Sequence, residues 1–313
     1  MPLKNTPAWG LIIILLATLS LSAASASIIC AANDSIDPSY VKEIEKWRRE
    51  RIEEINGENG WNTLVGLFWL HQGRNRFGSD PSNDIVLPAD RAPKFGGSLW
   101  LLREQVRMDS NSTAHITHLG RRVRRISLLS DANGKPTIVS MGSLTFFVIK
   151  RGDKFGLRIK DKHHPARRSF QGLDYFQIDP GWRIEAKLEP HVPHKVIPIA
   201  NVLGMVDDMI SPGALAFSVD GKTFRLEPVL EKGSKQFFLI FGDATNGKET
   251  YGAGRYLYVD PPDKDGRVII DFNKAYNPPC AFTKFATCPL PPRQNRLSIR
   301  VEAGEKKYAG SEH

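Results

Sequence analysis

From Gly57 onward the chain is cut into short β-type runs by turn residues, and this punctuation limits what it can fold into. The runs Ser98–Leu102, Val123–Leu129, Thr137–Val139, Leu144–Lys150 and Phe155–Ile159 follow one another at roughly 8–12 residues, the spacing of an all-β architecture. A second series repeats the pattern: Trp182–Leu188, Lys195–Ile199, Ala214–Val219, Phe224–Pro228, Phe237–Phe241 and Tyr256–Val259. Asp220-Gly221 and Asp265-Gly266 have the composition of two-residue hairpin turns. With 26 Gly and 21 Pro in 313 residues, turns have ample material and long helices little room. The fold class expected is mainly β: an N-terminal helix, an antiparallel β-sandwich over 57–160, and a second antiparallel β-module over 161–313.

The exception is the stretch from Pro38 to Asn56. Tyr40, Val41, Ile44, Trp47, Ile52 and Ile55 recur there at helical spacing among charges. Ser39 is the expected N-cap, Glu43 favours the early turns, and Glu45 with Arg49 makes an i,i+4 pair. Residues 27–37 read as a flexible lead.

The first 26 residues carry an address. Lys4 precedes the apolar segment Leu11–Leu21, and Ala24-Ser25-Ala26 supplies small residues for signal cleavage after Ala26. The expectation is an exported protein, periplasmic or secreted, with no membrane span once the leader is gone. Losing the leader removes Lys4 alone and lowers the formal net charge from +9 to +8. The excess gathers in Arg121–Arg125 and Lys160–Arg168, with no aromatic residues among the first group and no DNA-binding motif. Nucleic acid is therefore not an expected partner; an anionic envelope component or a small molecule is.

Export also frames the cysteines. Cys280 and Cys288 close a short loop, and an oxidising compartment favours a disulfide between them, leaving Cys30 over. No metal site is expected, since neither a CxxC nor a nearby His supplies further ligands. His115 with His118, and His191 with His194, read as surface residues. No Walker, GxSxG or HExxH sequence is present, and no cofactor is expected.

Chemistry concentrates late in the chain. The β-type run Val268–Ile270 ends in Asp271-Phe272-Asn273, a loop with two cysteines and five prolines follows, and Leu297–Val301 reads as a closing strand. Asp243 ends another run, and Arg255 follows Gly254 at a strand start, where a guanidinium can fork onto a carboxylate or phosphate. Asp243, Arg255, Asp271, Asn273, Tyr276 and Asn277 are the candidate ligand-binding residues. Three functions fit them. The first is a binding protein for an unknown ligand, an anion among the candidates. The second is a cofactor-independent hydrolase or lyase using the carboxylates with Tyr276. In the third, an envelope structural protein, these side chains only tie turns.

Two resemblances add to this. Gly78-Ser79-Asp80-Pro81-Ser82-Asn83-Asp84-Ile85-Val86-Leu87 resembles the early strands of a forkhead-associated (FHA) domain. That family reads phosphothreonine with an Arg where this chain has Ser79, and with a Ser-x-x-His where it has Ala92–Gly97. The resemblance implies a β-sandwich scaffold without phosphopeptide reading. The helix, the run GLFWL, the segment FGSDPSNDIVLP, the segment from Phe241 to Arg255 and DFNKAYNPPCAFTKFATCPLPPRQNRL together resemble the domain of unknown function 1684 family, from about Tyr40 to Lys307. That resemblance supports fold and site location and implies no established activity.

Overall fold

The computed structural model describes residues 36–310; the leader and Cys30 lie outside the described residues. The helix runs from Pro38 to Asn56 as the periodicity requires. Its cap is Asp37, not Ser39: the Asp37 carboxylate accepts the Ser39 N–H at 2.8 Å, with Pro38 pre-setting the first turn. Its ion pairs are Lys46–Glu50 and Arg51–Glu54. Ile44 and Ile55 are fully buried, and between them Arg51 is buried while Ile52 is exposed. A charged residue on the inner face of an amphipathic helix needs a partner inside the protein, and Arg51 has one.

The first β-region is a sandwich. One sheet has the order Leu64–Trp69, Lys154–Asp161, Leu144–Arg151, Val139–Met141, Thr117–His118, Arg121–Arg122. The other runs Ile85–Val86, Gly73–Gly78, Gly97–Leu102, Gln105–Ser110, Arg125–Leu128. Pairing is antiparallel except between Gly73–Gly78 and Ile85–Val86. Phe77, Leu99 and Met108 from one sheet meet Phe146, Val148 and Leu157 from the other in one core. Each such side chain contributes about 1.5–3 kcal/mol on leaving water. The strand Lys154–Asp161 lies between two neighbours, so both of its edges are paired. Phe155, Leu157 and Ile159 take the core face and leave Arg158 on the other.

The second β-region is one seven-stranded sheet. Its order is Arg255–Val259, Phe237–Phe241, Val229–Leu230, Val206–Val219, Arg183–Ala200, Arg267–Asp271, with Lys222–Leu226 also paired to Val206–Val219. The runs Trp182–Leu188 and Lys195–Ile199 are parts of one 18-residue strand, interrupted by an irregularity between Pro190 and Lys195. Arg255–Val259 and Arg267–Asp271 are the two ends of the sheet, and a bridge from Tyr256 to Tyr276 ties the first to the loop that follows the second.

Leu297–Val301, expected as a closing strand, is not one. Its backbone is claimed piecemeal: Leu297 N–H donates to Gly242 O at 2.8 Å, Ala244 N–H to Ile299 O at 2.9 Å, and the Val301 carbonyl accepts from a guanidinium. The 242–244 backbone takes two isolated bonds, and at Val301 the side chains of Asp243 and Arg255 stand where a ladder would continue. Among the described residues, no helix is long and apolar enough to cross a membrane.

Candidate functional site

The residues singled out from the sequence fall into two groups in space. Arg255 and Asp243 form a closed pair: Arg255 Nη2 lies 2.8 Å from Asp243 Oδ2, and both side chains are fully buried. The same Nη2 donates to Val301 O at 2.8 Å, and Nη1 donates to Ala303 O. Asp243 Oδ1 accepts from Thr245 N–H at 2.8 Å, Thr245 O–H at 2.6 Å and Val301 N–H at 3.2 Å. Burial pulls the Arg255 guanidinium below its ordinary range, and Asp243 offsets part of that. Gly254 makes the geometry possible. Its φ is +96°, and a Cβ there would lie 2.5 Å from the Pro291 ring.

Asp271 and Asn273 tie the helix to the second sheet. Asp271 Oδ1 accepts the Tyr40 hydroxyl at 2.9 Å and the Asn273 N–H at 3.1 Å, while Asn273 Nδ2 donates to Asp179 O at 2.8 Å. Asn277 is fully buried, with its N–H on Glu305 Oε2 at 2.8 Å and its Nδ2 on Lys306 O at 2.7 Å. Glu305 in turn holds Arg51 at 3.0 Å. Burial raises the Glu305 carboxyl despite Arg51. Burial also disfavours the Arg51 cation, but Glu305 and Glu54 more than offset it, and its pKa is raised. Two carboxylates share one guanidinium, so pairing wins on the cation and desolvation wins on the acid.

Of the expected set, Tyr276 alone lines the cavity that follows. Beneath the helix is a space of about 460 Å3, walled by Trp47, Trp61, Phe238, Tyr256, Tyr258 and Tyr276. The helix, the sandwich and the second sheet each contribute to it. Phe238 stacks on Tyr258 at 4.8 Å, and Tyr256 meets Tyr276 edge-on at 5.8 Å. Arg51 covers the Tyr276 ring at 4.3 Å. The Tyr258 hydroxyl donates to Glu231 at 2.6 Å; burial first, then Tyr276 and Glu231, raises this phenol, which stays protonated.

Arg158 also lines the cavity, and its bonding is incomplete. It is 5% exposed, and among the described residues no carboxylate pairs with it. Its Nε has no hydrogen-bond partner. Its Nη2 donates to Thr287 Oγ1 at 3.0 Å, and the neighbouring Arg151 donates to the same oxygen at 3.0 Å. Arg151 is itself neutralised by Asp131 at 2.8 Å. Burial, reinforced by Arg151, pulls the Arg158 guanidinium down to about 10. Thr287 is buried too. With two N–H groups occupying its lone pairs, its hydroxyl is left to act as a donor, and no described side chain or backbone group takes that bond. A guanidinium lacking a counter-charge and a hydroxyl lacking an acceptor therefore share one corner of an aromatic chamber.

The cysteine loop forms another part of the wall through Pro279, Ala286, Thr287 and Cys288. Cys280 and Cys288 are buried free thiols, where the sequence predicts a disulfide. The Cys280 N–H donates to Cys288 Sγ at 3.1 Å, so turn bonds and packing hold the loop in place of a covalent bridge. The adjoining Cys288 thiol lowers Cys280, while burial pushes Cys288 well up and leaves it a poor nucleophile. No group of His, Cys, Asp or Glu among the described residues could hold a metal ion.

Two of the missed residues differ in how visible they were. Arg51 lies seven positions after Ile44 and four before Ile55, on the apolar stripe, which marks it as buried. Arg158 alternates with Gly156 and Lys160 in a strand, the usual look of a solvated face. Nothing local reveals that this face lies under the helix.

The protein-family model described as "Protein of unknown function (DUF1684)" matches residues 168–306, the half that contains the seven-stranded sheet and the cysteine loop. Among solved structures, the chain is similar to an uncharacterized protein from Haloarcula marismortui determined by solution NMR. The two are 33% identical over 47% of this chain and 81% of that one, with a TM-score of 0.39. No curated protein matches.

Proposed function

The chain belongs to the DUF1684 family, and we propose that it binds a small organic monoanion, a carboxylate, in the chamber walled by Trp47, Trp61, Tyr256 and Tyr276. One observation carries this reading: Arg158 is a buried cation without a counter-ion. Taking a charge out of water costs several kcal/mol unless an opposite charge and hydrogen bonds compensate it. A planar carboxylate offers acceptors to the guanidinium and to the Thr287 hydroxyl together. Arg158 is the one cation lining the chamber without a carboxylate among the described residues, because Arg51 and Arg151 have their own and the lining carboxylate Glu231 is held by the Tyr258 hydroxyl. A monoanion therefore fits better than a phosphate dianion. The aromatic walls suit an apolar or stacking body behind the acid group.

The same reading includes export under the direction of residues 1–26, with the FHA-like sandwich serving as scaffold and not as a reader of phosphothreonine. A hydrolase or lyase is the second reading. It would rest on the short Tyr258–Glu231 hydrogen bond, the acid–base pair facing the chamber.

The test is thermal unfolding and calorimetry with benzoate, phenylacetate and glucuronate, each beside its neutral amide. The expected result is stabilisation by the acids, none by the amides, and loss of the effect in Arg158→Gln. Equal stabilisation by acid and amide, or an unchanged response in Arg158→Gln, would overturn the proposal. Turnover of the corresponding esters, abolished by Glu231→Gln, would establish the hydrolytic reading.

A further inference from the structure

The chamber around Arg158 adjoins two other cavities and shares a wall with each. Trp47, Tyr258 and Tyr276 line both it and a trough of about 730 Å3. Arg151, Glu231, Thr287 and Pro289 line both it and a second trough of about 610 Å3. The chamber is thus the middle of a cleft that continues in two directions. The first trough runs between the two ends of the seven-stranded sheet, touching Tyr258 and Asp260 on one side and Ile269 and Asp271 on the other. The second passes over the long strand pair, along Asn201, Asp207 and Asp208.

The three parts differ in charge. Among the described residues, carboxylates and cations are balanced three to three in the chamber. Carboxylates lead five to three in the first trough and four to three in the second. A ligand reaching into the troughs should therefore carry its acid in the middle and mainly hydrogen-bond donors at both ends. Asn201 Nδ2, buried and without a partner on the wall of the second trough, adds a donor facing the other way. Such walls reward groups that both donate and accept.

We propose that the cleft takes an extended oligosaccharide in which one acidic sugar, seated at Arg158, is flanked by neutral sugars. This rests on the monoanion reading above and extends it from a group to a chain. A sugar ring has an apolar C–H face that packs on aromatic rings such as those at the Trp47–Tyr258–Tyr276 lip. Its rim of hydroxyls suits mixed carboxylate, amide and guanidinium walls. A polyanionic chain would be repelled by the acidic ends of the cleft, and a hydrocarbon chain would leave those walls unsatisfied. A peptide would look for apolar side-chain pockets, where the troughs present charged groups of both signs.

The probe is the trisaccharide of glucuronic acid between two N-acetylglucosamine units, measured by calorimetry on the purified protein. It is compared with glucuronic acid, trigalacturonate and the tripeptide Gly-Asp-Gly. The trisaccharide should bind at least about tenfold more tightly than glucuronic acid, and trigalacturonate no more tightly than the monosaccharide. The double variant Glu185→Ala/Asp208→Ala, altered once in each trough, should shrink that ratio. Equal affinity for one sugar and three, preference for the tripeptide, or an unchanged ratio in the double variant would overturn the extended-ligand proposal. Benzoate that binds through Arg158 while no saccharide binds would sink this inference and leave the monoanion site standing. If neither benzoate nor any saccharide bound, both readings would fall.

Discussion

Two buried arginines, Arg255 and Arg158, mean opposite things. Arg255 is enclosed by a carboxylate and two carbonyls, and both oxygens of its partner Asp243 accept hydrogen bonds. Arg158 is nearly as buried but has one hydroxyl, one aromatic neighbour and a bare Nε. Arg255 Nε is just as bare, so the difference lies in charge: the first guanidinium has a carboxylate of its own and the second has none among the described residues. Burial of a charge does not by itself distinguish architecture from function. What separates them is whether the molecule supplies the counter-charge.

The sharpest way to break this contrast is to cut the closed pair. Asp243→Ala should destabilise the protein by about 3–5 kcal/mol, because it leaves a buried guanidinium unpaired. A drop in denaturation midpoint well below that would make the Arg255 cluster a poor model of structure. Arg158→Gln should do the reverse. Its stability should stay within about 1 kcal/mol of the parent or rise, while monoanion affinity falls by about 1.5–3 kcal/mol, the worth of a hydrogen bond to a charged group. Paired unfolding and calorimetry on both variants check this, and a loss of stability without a loss of binding in Arg158→Gln is the outcome that fails the comparison.

Thr287 sharpens it further. Thr287→Val removes an acceptor from two guanidinium groups and a donor from the ligand, and affinity should fall by about tenfold. Thr287→Ser should restore most of it, which a merely steric role would not predict.

The pH dependence is subtler. The Arg158 guanidinium is held down to about 10, below the value it has in the unfolded chain, so the folded protein releases that proton first. Between these values the unfolded chain binds more protons than the native one, and this group's contribution to stability rises with pH. Anion binding goes the other way: it is full below pH 10 and falls about tenfold per unit above it. Benzoate titrations from pH 8 to 11 in parent and Arg158→Gln should show the fall in the parent alone. The smallest effect concerns the loop wall. Thiol titration of the unreduced, denatured protein should count both Cys280 and Cys288, and a count missing that pair would mean the wall is covalently closed.

Much of the architecture was legible because it depends on local chemistry. The helix from Pro38 to Asn56 and the strand Phe237–Phe241 were readable to the residue, one from its 3.6-residue periodicity and the other from an unbroken apolar run between turns. Leu297–Val301 was misread for a physical reason. Alternating apolar residues describe a segment with one covered face, and here that face is covered without a ladder: Gly242 and Ala244 make only isolated backbone bonds to it, and Asp243 and Arg255 take the backbone groups of Val301. The polar candidates showed a similar limit. Asp243, Asp271, Asn273 and Asn277 stood out as chemistry-bearing, yet Asp and Asn at strand ends are also the residues that satisfy buried backbone. The cavity required three distant segments to converge, and no spacing rule brings Trp47, Arg158 and Thr287 together.

That convergence has a consequence for how the protein is assembled. Arg51 of the helix finds its acidic partner at Glu305, 254 residues further along, and Tyr40 reaches Asp271 across 231. The helix therefore leaves the ribosome long before the groups that seat it exist. Until then its apolar stripe, with Ile44, Trp47 and Ile55, has nothing of its own to cover it. An early segment committed to a late partner cannot reach its native seat until the last stretch of the chain has been made. The cavity beneath the helix, walled on one side by Trp47 and Arg51, is complete only once that late seat exists.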